Sequence, residues 1–260
     1  VTPMPTSQTE IDNAAREDPV MSWRGWRALA AGVLFAATAS AAALPEGFSL
    51  SPSLPPGRNF DLSHWYLGTP DPGQSRSIPA SDLMAGYTNA WFFTGPDGAM
   101  VFWCPVTGGT TPNSSYPRSE LREQINPPDN GINWTAFGAH ILDAQCKVTR
   151  LPSTGKVIIG QIHGYLGAAR PLLKFVFNNG AIDAQVKESP SADTDLHVSF
   201  PNVPFNSLIT YRILLQDGIL SMTVNGVTQS VDMFRSDPQW ANQTFYFKAG
   251  CYYPNNPVSG

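Results

Sequence analysis

Charge is scarce in this chain: Asp, Glu, Lys and Arg together make up 14% of its 260 residues, against roughly 25% in an average soluble domain. Coiled coils and charge-dense disordered tails are excluded on that ground. Cysteine is scarcer still. Cys104, Cys146 and Cys251 are the only three, with no C-x-x-C spacing, which excludes a disulfide-built scaffold and gives no zinc signature. One disulfide plus one buried thiol fits the count, and the spacing does not select the pair. A basic excess is missing as well: 16 Lys and Arg face 20 Asp and Glu, for a net charge of −4. That excludes nucleic-acid binding through a broad cationic surface, so a polyanionic ligand requires a local cationic patch. Uninterrupted stretches for long helices are also lacking, because 22 Gly and 24 Pro punctuate the chain. Many short strands joined by turns is the organisation such punctuation favours.

The first forty-odd residues read as separate from the fold. Met21 opens a segment with Arg24 and Arg27, then an apolar run over 28–39, then Ser40, Ala41, Ala42 and Ala43. Charged start, apolar middle and small-residue end are the parts of a secretory signal peptide. A spanning helix needs about 20 apolar residues, which this run does not supply. We therefore expect residues 1–20 to be an upstream extension without assigned function, 21–43 a signal peptide, and 44–260 one domain that is secreted and mildly acidic.

From Phe60 onward the dominant period is two. Apolar or alternating runs recur at 99–103, 139–148, 156–163, 172–177, 196–200, 209–215, 220–224 and 244–252. Most are bounded by Gly, Pro, Asn or Asp, the signature of strands. Asp217-Gly218 and Asn225-Gly226 flank one run as hairpin turns. Helical turns are expected only at 82–86 and 232–237. The expected fold is all-β, a two-sheet sandwich of the jelly-roll kind.

Three segments carry more polar chemistry than a sandwich requires. In 116–123 an extended backbone puts Arg118, Glu120 and Arg122 on one face. Glu120 would orient the two guanidinium groups, leaving donors for a planar carboxylate; taken alone, the segment reads first as an ion-paired solvated strand. In 160–164, Gln161 and His163 share a face while Ile162 points inward, and flanking glycines suggest close backbone approach to a ligand. In 246–253, Tyr246, Lys248, Gly250 and Tyr252 fall on one face, a floor for a sugar ring or a merely amphipathic strand. The combined inventory is rich in donors and poor in carboxylates. Glu120 and Glu123 face opposite sides, which disfavours a glycoside hydrolase with two carboxyl groups across the scissile bond. A substrate that is itself a carboxylate suits it better.

In order and spacing, Arg118-Ser-Glu-Leu-Arg122, Gln161-Ile-His163 and Tyr246-Phe-Lys-Ala-Gly-Cys-Tyr252 resemble the three signature motifs of the family 7 polysaccharide lyases, the alginate lyases. The opening 60–67 segment, Phe-Asp-Leu-Ser-His-Trp-Tyr-Leu, is similar to theirs too. The resemblance implies a jelly-roll β-sandwich with a concave substrate groove and eliminative cleavage of a 1,4-linked polyuronate, with no metal or organic cofactor, by a monomer with no membrane partner after signal removal. It implies Arg118, Gln161, His163 and Tyr252 as catalytic, and Arg122, Glu120, Lys248 and Tyr246 as substrate-binding. Arg118, Gln161 and His163 would neutralise the uronate carboxylate, and Tyr252 would act as acid. For mannuronate Tyr252 would be base as well; for guluronate His163 would be the base. Ile162 leans toward guluronate-containing substrate. One departure is visible: where the family's third motif commonly continues Tyr-x-Gln, this chain has Pro254. A lyase for another uronan, such as glucuronan, and a non-catalytic carbohydrate-binding sandwich are the alternatives.

Overall fold

The computed structural model describes residues 50–112, 114–167 and 170–254. The extension 1–20 and the signal segment 21–43 lie outside the described residues. In chain order the elements are α1 (Pro56–Asn59), β1 (Trp65–Thr69), β2 (Arg76–Ile78), α2 (Ala80–Ala85), β3 (Phe92–Thr94), β4 (Met100–Phe102), β5 (Arg118–Glu123), β6 (Trp134–Thr135), β7 (Ala139–Cys146) and β8 (Lys156–Gly164). They continue with β9 (Pro171–Asn178), β10 (Ala181–Lys187), β11 (Asp195–Phe200), β12 (Ile209–Gln216), β13 (Ile219–Val224), β14 (Val227–Asp232), α3 (Met233–Ser236), a 3-10 turn (Pro238–Asn242) and β15 (Thr244–Tyr252).

Among the described residues these strands build two main antiparallel sheets. The larger has the order β11-β10-β9-β8-β15-β5-β1-β2, with β6 also on β15; the smaller has the order β14-β13-β12-β7. The expected jelly-roll sandwich is what the chain forms. Its period of two explains the packing. Leu173, Phe175 and Phe177 of β9 are opposite Val186, Ala184 and Ile182 of β10, all buried, while Lys174 and Gln185 face the other way. From the smaller sheet, Ile209, Tyr211, Ile213 and Leu215 of β12 and Leu220, Met222 and Val224 of β13 meet them in one core. Each such side chain contributes about 1.5–3 kcal/mol on burial. A second, smaller core of Leu62, Leu67, Ile78, Leu83, Phe92 and Leu121 closes the β1–β2 end beneath α2.

The turn chemistry is as read. Asp217-Gly218 and Asn225-Gly226 both have positive φ, 47° and 82°, then 48° and 86°, the pair of left-handed residues a two-residue hairpin needs. Asn179-Gly180 does the same between β9 and β10. The expected helical turns occur slightly displaced: α2 begins at Ala80 after Pro79, and α3 is capped by the Asp232 carboxylate accepting from the Arg235 N–H. Strands β1, β2, β3, β6, β10 and β14 were outside the expected set. Most are short, and β14 carries too few large apolar residues to stand out. All three cysteines are free thiols, so no disulfide is formed.

Candidate active site

The large sheet's outward face carries a register row that crosses seven strands. Tyr66 is paired with Arg122, Arg122 with Lys248, Lys248 with Gln161, Gln161 with Lys174, Lys174 with Gln185, and Gln185 with His197. Six steps of about 4.8 Å make a polar track of about 29 Å. The three motifs therefore converge because β15 is inserted between β8 and β5.

Glu120 is the hub. It is 2% exposed, and its carboxylate accepts from the Gln161 amide on one oxygen and pairs with the Lys248 ammonium on the other, with Arg118 Nη1 at 3.8 Å. Burial alone would raise the Glu120 carboxyl, but Lys248 and Arg118 hold it below its ordinary value. Lys248 is lowered, by burial first and by the arginines' charge, against the pull of Glu120. An ionised carboxylate thus fixes three donors in place while cations remain in excess around it, which makes the patch attractive to an anion.

Tyr252 sits at the end of β15, where a bulge interrupts the pairing with β8. Gly250 makes that bulge with φ 146°, and a Cβ there would come within 2.6 Å of the Ser119 carbonyl. The Arg118 guanidinium lies 4.0 Å over the Tyr252 ring. Ser114 Oγ accepts from Arg118 Nη2 at 2.6 Å and is 3.3 Å from the Tyr252 hydroxyl. Ser114 carried no signal in the sequence; only the fold brings it to this tyrosine.

His163 is half-buried. Its Nδ1 is 2.8 Å from the Gly164 carbonyl oxygen, and since a carbonyl can only accept, Nδ1 carries the proton and Nε2 keeps a lone pair. Burial, then the charge of Lys248, pushes His163 down to about 4, so the ring is neutral at neutral pH. Tyr246 stacks on it with centroids 5.3 Å apart and its hydroxyl 3.2 Å from Nδ1, and the Arg122 guanidinium lies 3.9 Å over Tyr246.

Three expectations need correction. Glu120 orients Lys248 and Gln161 together with Arg118, whereas Arg122 is held by other partners. Arg122, expected to grip a carboxylate, is 3% exposed and donates to the Glu123 and Asn130 carbonyls and to Asn133 Oδ1. It braces Tyr246 and a loop instead. The glycines around Gln161 and His163 serve protein neighbours: a Cβ on Gly160 would meet the Tyr211 hydroxyl at 2.9 Å, and one on Gly164 the Arg170 carbonyl at 2.8 Å. Glu123 does face away from Glu120, accepting from Trp134 Nε1 and the Phe247 N–H. Among the described residues no group of three His, Cys, Asp or Glu is placed to hold a metal ion, and no helix is long and apolar enough to cross a membrane.

A donor-rich track on a sandwich, with a neutral imidazole and the phenols of Tyr246 and Tyr252 at its centre, suits a carboxylated chain. The chain belongs to the alginate lyase family, whose family model matches residues 60–259, and it is a polysaccharide lyase. It is 30% identical to an alginate lyase of Klebsiella pneumoniae over 77% of this chain and 84% of that one. Among solved structures, it resembles the family 7 alginate lyase A1-II′ in complex with the substrate GGMG, at 43% identity and a TM-score of 0.77, covering 80% of this chain and 91% of that one. An alginate lyase from Pseudomonas aeruginosa matches at 35% identity and a TM-score of 0.69, covering 76% and 91%.

Proposed function

We propose that the protein is a secreted, monomeric enzyme that cleaves alginate by β-elimination, releasing oligouronates with a C4=C5 double bond at the new non-reducing end. The observation that carries this reading is the tautomer of His163. With Nδ1–H tied to the Gly164 carbonyl, Nε2 is a lone pair that accepts a proton and cannot donate one.

The C5 proton of a uronate lies next to its carboxylate, and it is acidic only when that carboxylate's charge is offset. Arg118, the second amide N–H of Gln161 and the Lys248 ammonium supply the offset, each oriented directly or through Glu120. His163 then takes the C5 proton, the bond from C4 to the bridging oxygen breaks, and Tyr252 protonates the leaving oxygen. This places base and acid on different residues, as guluronate requires with its C5 proton and O4 on opposite sides. It moves His163 from carboxylate neutralisation toward base chemistry. On mannuronate, where the two lie on one side, Tyr252 serves as both base and acid, with Arg118 over its ring and Ser114 beside its hydroxyl.

The test is incubation with homopolymeric guluronate, mannuronate and glucuronan blocks. Rising ultraviolet absorbance and unsaturated masses are expected on the alginate blocks, with guluronate preferred. Glucuronan as the sole substrate would redirect the assignment, and saturated products would overturn the elimination. The complexes of the similar enzyme A1-II′ with the substrate GGMG and the product GGG, at 43% and 44% identity, support an oligouronate ligand here.

A further inference from the structure

We infer that the cavity at the β1–β2 end of the groove is a sugar subsite that recognises a polyuronate residue by its ring face and hydroxyls, with that residue's carboxylate left outside. The inference rests on the lyase reading and adds to it a place where charge is not what is recognised.

The cavity has a volume of about 360 Å³ and is lined by Tyr66, Ser77, Ser81, Gln124, Pro127 and Asn130, among others. Ligand pockets run from about 300 Å³ upward, so it holds one or two sugar rings. Its position follows from the register. Tyr66 is one strand beyond Arg122 and two beyond Lys248, and Ser77 on β2 is one strand further. A strand spacing of about 4.8 Å is close to the advance of one 1,4-linked pyranose, so the cavity falls on the second and third residues from the centre.

Its chemistry differs from the centre's. No residue lining it carries a charge. The nearest cation of the row, Arg122, is turned to the Glu123 carbonyl, the Asn130 carbonyl and Asn133. A carboxylate entering the cavity would lose water without gaining an ionic partner, a net cost. The phenol of Tyr66 and the prolines offer an apolar floor for a ring, and the Ser, Gln and Asn groups match hydroxyls. The wall is preformed: Gln124 Nε2 donates to the Pro128 carbonyl at 3.1 Å and to Asn130 Oδ1 at 2.9 Å, while its own N–H donates to the His64 carbonyl. Arg122 thus builds the subsite without contacting the sugar in it.

The experiment compares kcat/KM on a uronate hexamer with that on a trimer, for wild type, Ser77→Trp and Tyr66→Ala. Ser77 is exposed on a short edge strand, so Trp there fills the cavity without entering the core. The hexamer-to-trimer ratio is expected to fall about tenfold in both variants, about 1.4 kcal/mol, with product sizes shifting, while the thermal midpoint of Ser77→Trp stays at the wild-type value. Hexamer affinity by calorimetry, which needs no turnover, is expected to weaken in Ser77→Trp to the same degree. An unchanged ratio together with unchanged affinity in folded Ser77→Trp overturns the subsite. Wild type that binds the hexamer but forms no unsaturated product overturns the lyase reading, and the affinity comparison still decides the cavity.

Discussion

Two carboxylates, Glu120 buried and Asp195 half-buried, lie on the same face of the large sheet, and each is met by two cations. Glu120 on β5 holds Lys248 and Gln161 with Arg118 nearby, and is surrounded by strands on both sides. Asp195 on the outermost strand β11 holds Lys174 at 2.8 Å and Lys187 at 2.6 Å. Both carboxyls are held below their ordinary value against the cost of burial. The difference is in what surrounds them. Around Asp195 the charges balance, with Lys174, Lys187 and Arg170 facing the three carboxylates Asp195, Asp193 and Asp183. Around Glu120 the cations outnumber the carboxylate, and an imidazole and a phenol stand beside them. A charge cluster becomes a reaction centre when its cations are left over and acid–base groups share its face. Otherwise it fastens an edge strand.

Breaking the centre at its acid should have the largest effect. Tyr252→Phe removes one oxygen and keeps the ring under Arg118; turnover is expected to fall by at least about 10²-fold with oligouronate binding nearly intact. A variant retaining more than about a tenth of wild-type rate would remove Tyr252 from the mechanism.

The comparison itself is tested by Glu120→Gln against Asp195→Asn. The first leaves Lys248 buried and Arg118 half-buried without their counter-charge and is expected to cost about 3 kcal/mol of stability together with most activity. The second, at a sheet edge, should cost about 1 kcal/mol and leave turnover within a few-fold. Equal losses in urea melts and in rate would erase the distinction.

His163→Ala is expected to abolish cleavage of guluronate blocks while mannuronate cleavage survives at a reduced rate, read by absorbance on each polymer. The same residue sets a pH signature. Its folded value near 4 lies below the ordinary 6.5, so the unfolded chain takes up the proton first and stability falls as pH drops from about 6.5 toward 4. Activity should persist into that window and fail near 4 to 5, whereas an unshifted histidine base would fail near 6.5. A kcat/KM profile over pH separates the two.

The smallest effects should come from outside the centre. Raising salt is expected to weaken substrate affinity several-fold without moving the thermal midpoint, and Arg118→Ala should remove most of that salt dependence while Lys156→Ala leaves it. Deleting residues 1–43 should change neither the thermal transition nor the rate.

How much of this was legible in the sequence follows from the range of the forces involved. The faces of β5, β8 and β15 could be read because a period of two is a local property, and Leu121, Ile162 and Phe247 do point into cores while their neighbours face the groove. The hairpins could be read because Asn-Gly and Asp-Gly carry their backbone preference with them. Long-range contacts left no local trace. Ser114 reaches Tyr252 across 138 residues. Tyr211, which dictates Gly160, comes from the opposite sheet. Arg122 was misread for the same reason: its partners Asn130 and Asn133 lie in a loop without pattern.

The position of β15 has a consequence for how the molecule is made. It follows every other strand in the chain, yet it lies between β8 and β5 and carries Lys248 and Tyr252. While the chain leaves the ribosome, the large sheet exists only as two fragments with facing open edges, each a template for pairing with the wrong strand. Closure waits for the last segment and joins partners far apart in sequence, the slow kind of step. Catalytic competence and topological closure therefore arrive together, and a chain caught before that point is at once inactive and sticky.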